Sequence, residues 1–288
     1  MAIIMDGKAF SAVCKENIKK EAEKLSAMGH QPGMAVVLVG NNQASQVYVR
    51  NKEKDCQECG IYSAMYTLPE KTTEQQLLEL LDVLNHDERI NGILVQLPVP
   101  KHIDPQKVIE AIDPIKDVDA FHPTNVGYLT AGMPRFAPCT PAGIVKLMEE
   151  YGIDPAGKHC VVIGRSNIVG KPMALLLLQK NGTVTICHSA TPDLKEQTLQ
   201  ADILISAVGK TGFVTGDMVK DGAVVIDVAM NRNDQGKLCG DVVYEEVAPK
   251  ASFITPVPGG VGPMTRVMLL ENTLTACRMQ NGLQGEAE

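Results

Sequence analysis

His159-Cys160-Val161-Val162-Ile163-Gly164-Arg165-Ser166-Asn167-Ile168-Val169-Gly170-Lys171-Pro172 is the stretch that decides the fold. Residues 159–163 form the short apolar, β-branched run of a buried strand, and a glycine follows at once. That glycine lets the backbone turn tightly toward a ligand, and the helical pattern after it offers unpaired N–H groups and a positive dipole end to a phosphate. Ser166 replaces the middle glycine of G-x-G-x-x-G and Gly170 comes one residue late, so the stretch is a variant dinucleotide fingerprint. The competing interpretation is a strand-to-helix turn with no ligand. The next strand-like run, 183–187, ends in His188-Ser189-Ala190, with no carboxylate before Asp193. An acid there would hold the ribose 2′-hydroxyl of NAD and repel a 2′-phosphate, whereas Arg165 and Ser189 can hydrogen-bond one. The expected cofactor is NADP rather than NAD.

Outward from this unit, strand-like runs at 203–208 and 223–228 and a helical pattern at 142–151 complete a second α/β series. Upstream, a helix is expected over 8–28. Three strand–helix units follow it, with strands at 35–40, 62–68 and 92–97 and helices at 44–59, 73–85 and 104–112. Such alternation predicts parallel sheets with right-handed crossovers. The rhythm breaks in the proline-rich stretch 114–141, where the boundary falls. We therefore expect an α/β protein of two domains: residues 1–139, and a Rossmann-type domain at 140–265. The last helix, with Val267, Leu270, Leu274 and Cys277 on one face, is expected to return to the first domain, so that 266–288 complete it.

Composition fits this and excludes other classes. The 288 residues suffice for two cores, and 44% apolar against 21% charged residues is ordinary for a globular chain. A net charge of −7 argues against a nucleic-acid partner, whose phosphates require a cationic face. The longest apolar runs, 35–40 and 173–178, are far short of the roughly 20 residues of a membrane span. The first ten residues lack the pattern of a secretory signal, so the eight cysteines are expected to stay reduced in the cytoplasm.

Several residues in the first half carry chemistry. Tyr48 and Lys52, four apart on one helix face, could form a proton-transfer pair, since burial can lower a lysine pKa from about 10.4 toward neutrality. An ordinary amphipathic face is the bland alternative. Gln96 ends the apolar run 92–95, at the end of a strand where ligands sit. Asp119 could accept paired N–H donors from a heteroaromatic ring, while Asp117 reads better as an Asx-type turn residue. The loop Pro256-Val257-Pro258-Gly259-Gly260-Val261-Gly262-Pro263-Met264-Thr265 combines rigid prolines with glycines that permit close backbone approach. Pro258, Gly259, Gly262 and Pro263 are its ligand-lining candidates; a tight structural turn is the alternative. Cys56 and Cys59 stand without a second metal-ligand pair, and no H-E-x-x-H or G-x-S-x-G is present, so no metal site is expected.

In combination, VVLVGNNQASQVYVRNKEK, GILVQLPVP, KDVDAFHPTNVG, CTPAGIVKLM, VVIGRSNIVGKP, ADILISAVGK and PVPGGVGPMT closely resemble the bifunctional methylenetetrahydrofolate dehydrogenase/cyclohydrolase family. The resemblance runs almost end to end. It implies a tetrahydrofolate-processing first domain, an NADP-binding second domain and a cytoplasmic homodimer. It implies oxidation of 5,10-methylenetetrahydrofolate with NADP, then hydrolysis to 10-formyltetrahydrofolate. By the same resemblance Lys52 is the catalytic lysine, Tyr48 stacks on and orients the folate, and Ser45 assists nearby. Gln96 interacts with the lysine and Asp119 anchors the pterin. Gly164, Arg165, Ser166 and Ser189 match cofactor phosphate positions, and the backbone of Met230 matches a contact on the nicotinamide side. In two places the family's usual glycine is an alanine: Ala120 in Asp-Ala-Phe-His, and Ala229 in Val-Ala-Met-Asn-Arg. A shikimate-dehydrogenase-like NADP enzyme and a catalytically silent NADP-binding regulator are the rival readings.

Overall fold

The computed structural model describes residues 2–283, and for Gln43 and Ala44 it describes the backbone alone. These residues fall into two compact units. One comprises Val13–Ala137 and the chain from Leu269 onward; the other comprises the chain up to Ala12 and Pro138–Met268. In chain order the elements begin β1 (Ile3–Ile4), α1 (Gly7–Ala27), β2 (Gly33–Val39), α2 (Gln43–Glu58), β3 (Tyr62–Leu68), α3 (Glu74–His86), β4 (Gly92–Val95), α4 (Pro105–Glu110) and α5 (Pro123–Thr130). They continue α6 (Cys139–Glu150), β5 (His159–Ile163), α7 (Gly170–Gln179), β6 (Thr183–Cys187), α8 (Leu194–Leu199), β7 (Ile203–Ser206) and β8 (Val224–Asp227). The last are β9 (Asn231–Arg232), β10 (Leu238–Cys239), α9 (Tyr244–Val247), β11 (Phe253–Ile254) and α10 (Val261–Gln280).

The unit built on Val13–Ala137 holds a parallel sheet in the order β3-β2-β4. Every residue of β2 is buried, as the continuous apolar run Ala35–Val39 requires of a central parallel strand. Leu77, Leu81 and Leu84 of α3, at helical spacing, pack with Val37, Ile93 and Val95 into its core. Helix α10, from Leu269 onward, completes this unit from the other end of the chain; the first turns of the helix, up to Met268, belong to the other unit, so the return starts three residues later than the expected 266. Leu269, Leu270, Leu274 and Cys277 are buried, and Asn272 Nδ2 donates to the carbonyls of Val118 and Ala137 at 2.8 and 3.1 Å.

The other unit is a six-stranded, all-parallel sheet in the order β1-β11-β8-β7-β5-β6. From β5 the chain adds β6 on one side and then crosses to β7 on the other. Strand β5 is therefore the topological switch point, beyond whose carboxyl end a doubly wound sheet binds its ligand. Residues 2–12 lie with this unit rather than with 13–137, because β1 pairs with β11 (Ile3↔Phe253) and Met5 N and Lys8 N donate to Ile254 O and Gly259 O, each at 2.8 Å. Two further elements depart from the sequence reading. Helix α5 lies inside the stretch read as irregular; Pro123 stands at its first position and His122 Nδ1 accepts from Thr124 N at 3.1 Å as its cap. Helix α10 begins at Val261, so Gly262 and Pro263 belong to its first turn, where proline's missing N–H leaves no bond unmade. No helix among the described residues is long and apolar enough to cross a membrane.

Candidate functional site

Asn42 caps α2 by accepting from the backbone N–H of Ser45 at 3.1 Å, which starts the helix just beyond the carboxyl end of β2 and buries Ser45. Tyr48 and Lys52 follow one turn apart, Tyr48 being 37% exposed and Lys52 half-buried. Gln96 stands one residue past β4, held there by donation of its N–H to Val37 O at 2.8 Å. Its Nε2 donates to Leu97 O at 2.8 Å, which turns Oε1 toward α2, and Lys52 Nζ donates to that oxygen at 3.0 Å. Parallel pairing of β2 with β4 thus joins two residues 44 apart in sequence. Cys56, one turn beyond Lys52, is fully buried, and burial pushes its thiol up to about 12; Cys59 is pushed up to about 11 by the same cause. Both are protonated structural thiols.

Asp119 is half-buried and lines a small pocket with Ile93, Leu97, Ile109 and Phe121. Asp117 turns inward: its Oδ2 accepts from His122 N and Asn125 Nδ2, each at 2.8 Å, and burial raises its pKa. These bonds reach residues five and eight positions on, so Asp117 ties the stretch 117–125 together rather than forming the Asx-type turn expected of it. Between the two aspartates and Phe121, Ala120 adopts φ 60°, the left-handed conformation that glycine holds without strain.

In the six-stranded unit Gly164 adopts φ 129°, and a Cβ on it would lie 2.6 Å from Ala207 O. A Cβ on Gly170 would lie 2.2 Å from Gly164 O, so both ends of the turn require glycine. Ser166 Oγ accepts from Val169 N at 3.1 Å and Gly170 N at 3.3 Å, closing the turn that leads into α7. Arg165 is exposed beside this turn, and Ser189 is exposed after β6, where Thr191 Oγ1 accepts from His188 N at 2.8 Å and fixes the turn. A close glycine turn with an exposed guanidinium and hydroxyl forms a donor set that fits a phosphorylated dinucleotide. The N–H groups at the start of α7 are not unpaired as the sequence pattern leads one to expect: Val169 and Gly170 donate to Ser166 Oγ, Lys171 N donates to Ser166 O at 3.1 Å, and Pro172 has none, so the helix offers its dipole end alone. Beyond β8, Met230 is 42% exposed, and Gly262 comes so near that a Cβ on it would lie 3.2 Å from Met230 Cε. The loop before α10 places Gly259 at φ 111°, after the cis peptide Val257–Pro258, and Gly259 O accepts from Lys8 N at 2.8 Å.

Comparison with known proteins agrees in both units. The family model for the tetrahydrofolate dehydrogenase/cyclohydrolase NAD(P)-binding domain matches residues 138–281, and the model for the catalytic domain matches 5–119. The chain belongs to the tetrahydrofolate dehydrogenase/cyclohydrolase family. The bifunctional protein FolD of Polaromonas naphthalenivorans is 60% identical over 96% of this chain and 98% of its own. The crystal structure of the Campylobacter jejuni bifunctional FolD enzyme is 51% identical at TM-score 0.95, covering 97% of this chain and 100% of that one. A Trypanosoma brucei methylenetetrahydrofolate dehydrogenase-cyclohydrolase, complexed with NADP cofactor and inhibitor, is 38% identical at TM-score 0.93, covering 99% of both chains. By contrast, shikimate 5-dehydrogenase of Thermus thermophilus is 13% identical at TM-score 0.51, covering 85% of this chain and 99% of its own; what is shared is the fold.

Within this tetrahydrofolate dehydrogenase/cyclohydrolase chain, the sequence reading does not single out the buried pair Asp227 and Asp241. Asp227 and Asp241, 3% and 0% exposed, lie among the loops at the carboxyl ends of β7 and β8. The signal was present, since Asp227 closes the apolar run Val224–Ile226 much as Gln96 closes 92–95.

Proposed function

We propose that this chain oxidises 5,10-methylenetetrahydrofolate with NADP and hydrolyses the resulting 5,10-methenyl cation to 10-formyltetrahydrofolate. The observation that carries the reading is the Lys52 Nζ to Gln96 Oε1 hydrogen bond of 3.0 Å at the strand ends of one unit, in a chain whose other unit has the Gly164 turn.

Arg165, Ser189 and the Gly164–Gly170 turn would hold the cofactor, with Ser166 shaping the turn and the backbone of Met230 facing the nicotinamide side. NADP, when bound, supplies the hydride acceptor. In the folate unit Tyr48 stacks on and orients the substrate, Asp119 accepts from the pterin N–H groups, and Ser45 supports the first turn of α2. Pro258, Gly259, Gly262 and Pro263 contribute to substrate binding. For hydrolysis, Lys52 takes a proton from the water that adds to the methenyl carbon, with Gln96 Oε1 fixing its Nζ. It then returns a proton to N5 as the carbon–N5 bond breaks, while the new hydroxyl loses its proton to solvent and becomes the formyl oxygen. Each turnover thus releases one proton overall. The family resemblance also supports a homodimer that works in the cytoplasm in one-carbon metabolism.

The test is incubation with NADP and 5,10-methylenetetrahydrofolate while NADPH, methenyl and formyl products are followed together. Both products should form, and K52M should lose at least about 100-fold in hydrolysis of the methenyl substrate. Normal hydrolysis by K52M refutes the assignment of Lys52. NADP binding without turnover points to a silent regulator.

A further inference from the structure

In a doubly wound sheet the two halves of a dinucleotide lie on either side of the switch point. The Gly164 turn stands at that point and Ser189 follows β6, so the other half of the ligand falls over the carboxyl ends of β7 and β8. Strands β5 and β6 end in Ile163 and Cys187, whereas β7 and β8 end in buried Ser206 and Asp227. Around these ends lies a connected polar cluster. Asp241 Oδ2 accepts from Ser206 Oγ at 2.9 Å, Val208 N at 2.7 Å and Gly209 N at 3.2 Å. Its Oδ1 accepts from Lys210 N at 2.7 Å and Asn231 Nδ2 at 3.1 Å. Asp227 Oδ1 accepts from Asp241 N at 3.0 Å and Ala229 N at 3.2 Å, and its Oδ2 from Val242 N at 2.8 Å. The fit is close: a Cβ on Gly240 would lie 1.9 Å from Asp227 Oδ2.

A buried carboxylate is costly unless donors surround it, and apolar strand ends would pack at lower cost, as they do in β5 and β6. What the two carboxylates add is geometry. They tie the segments 206–210, 229–231 and 240–242, which the β7–β8 and β9–β10 pairings join only at their ends, into one arrangement, and Met230 lies between two of the tied residues. We propose that Asp241 and Asp227 are positioning residues for the nicotinamide half of the cofactor, holding the loops that bear Met230 and Lys210 at the height the ring requires. This rests on the dehydrogenase reading above.

The test uses the full-length protein and milder variants beside Asp241→Asn, which can fail to fold. Ser206→Ala and Asn231→Ala each remove one donor to Asp241. Each should weaken NADP binding by calorimetry about threefold to tenfold and raise the KM for NADP to match, while hydrolysis of supplied methenyl substrate stays within twofold of wild type. That split separates positioning from general loss of structure, because the proposed hydrolytic residues Lys52 and Gln96 lie in the other unit. Unchanged NADP affinity in both variants, or a parallel fall of both activities, overturns the proposal. If the wild type binds NADP but turns over no folate, the functional reading fails, and the calorimetric comparison still decides the inference.

Discussion

Ala120 is 1% exposed and sits at φ 60° next to Asp119. A left-handed alanine costs about 1–2 kcal/mol against the glycine usual in the family. Reversion to glycine would lose a buried methyl, about 0.8 kcal/mol, and add unfolded-chain freedom of about 0.4–1 kcal/mol. These effects nearly cancel, so Ala120→Gly should unfold within about 1 kcal/mol of wild type. A β-branched residue has no comfortable conformation at this φ, and Ala120→Val should cost at least about 2 kcal/mol in urea denaturation. Ala229 departs from the family in the same way but lies outside the left-handed region, so its methyl imposes no such backbone strain. Sequence marked both alanines alike, because it carries residue types and not the φ at which each must sit. Residue types likewise mark Lys52 and Gln96 separately and only the family resemblance pairs them; the register of β2 against β4 supplies the physical reason.

At the scale of elements, Gly7 at the start of α1 meets the last loop of the sheet unit. A Cβ on Gly7 would lie 1.9 Å from Gly260 O, and Lys8 N donates to Gly259 O at 2.8 Å. The obstacle is backbone and cannot swing aside. Gly7→Ala should therefore destabilise by about 1–3 kcal/mol and raise the KM for substrates that the loop 256–260 contacts. A variant as stable and active as wild type would show that the loop yields freely. Elements with a strong periodic signal, such as β2, α3 and β5, were legible because a buried parallel strand or an amphipathic helix writes its burial into the residue order. Helices α5 and α8, of 8 and 6 residues, were not, and neither were the two-residue strands β1 and β11. An element of one or two turns, or of one strand pair, holds too few residues for a period to emerge; tertiary pairing defines it.

For the molecule as a whole, Asp227 makes stability depend on pH. Burial, with the Asp241 carboxylate beside it, pushes its pKa up to about 6, above the ordinary 3.8, against three backbone donors that act the other way. Because the folded value lies above the unfolded one, its contribution is full below about pH 4 and is lost as pH rises through about 6. Between pH 4.5 and 7.5 that loss is about 2 kcal/mol. The unfolding free energy of wild type relative to Asp227→Asn should therefore fall by about this amount across the range, followed by urea titration at each pH; a constant difference would contradict it. Strand β1 has a consequence of another kind. Among the described residues the strand partners of Ile3 and Ile4, each about half exposed, are Phe253 and Ile254, which the ribosome adds about 250 residues later. At about 5–20 residues per second the nascent chain then carries this pair of isoleucines without a strand neighbour for about 10–50 s, an interval in which a chaperone or another emerging chain can reach them first.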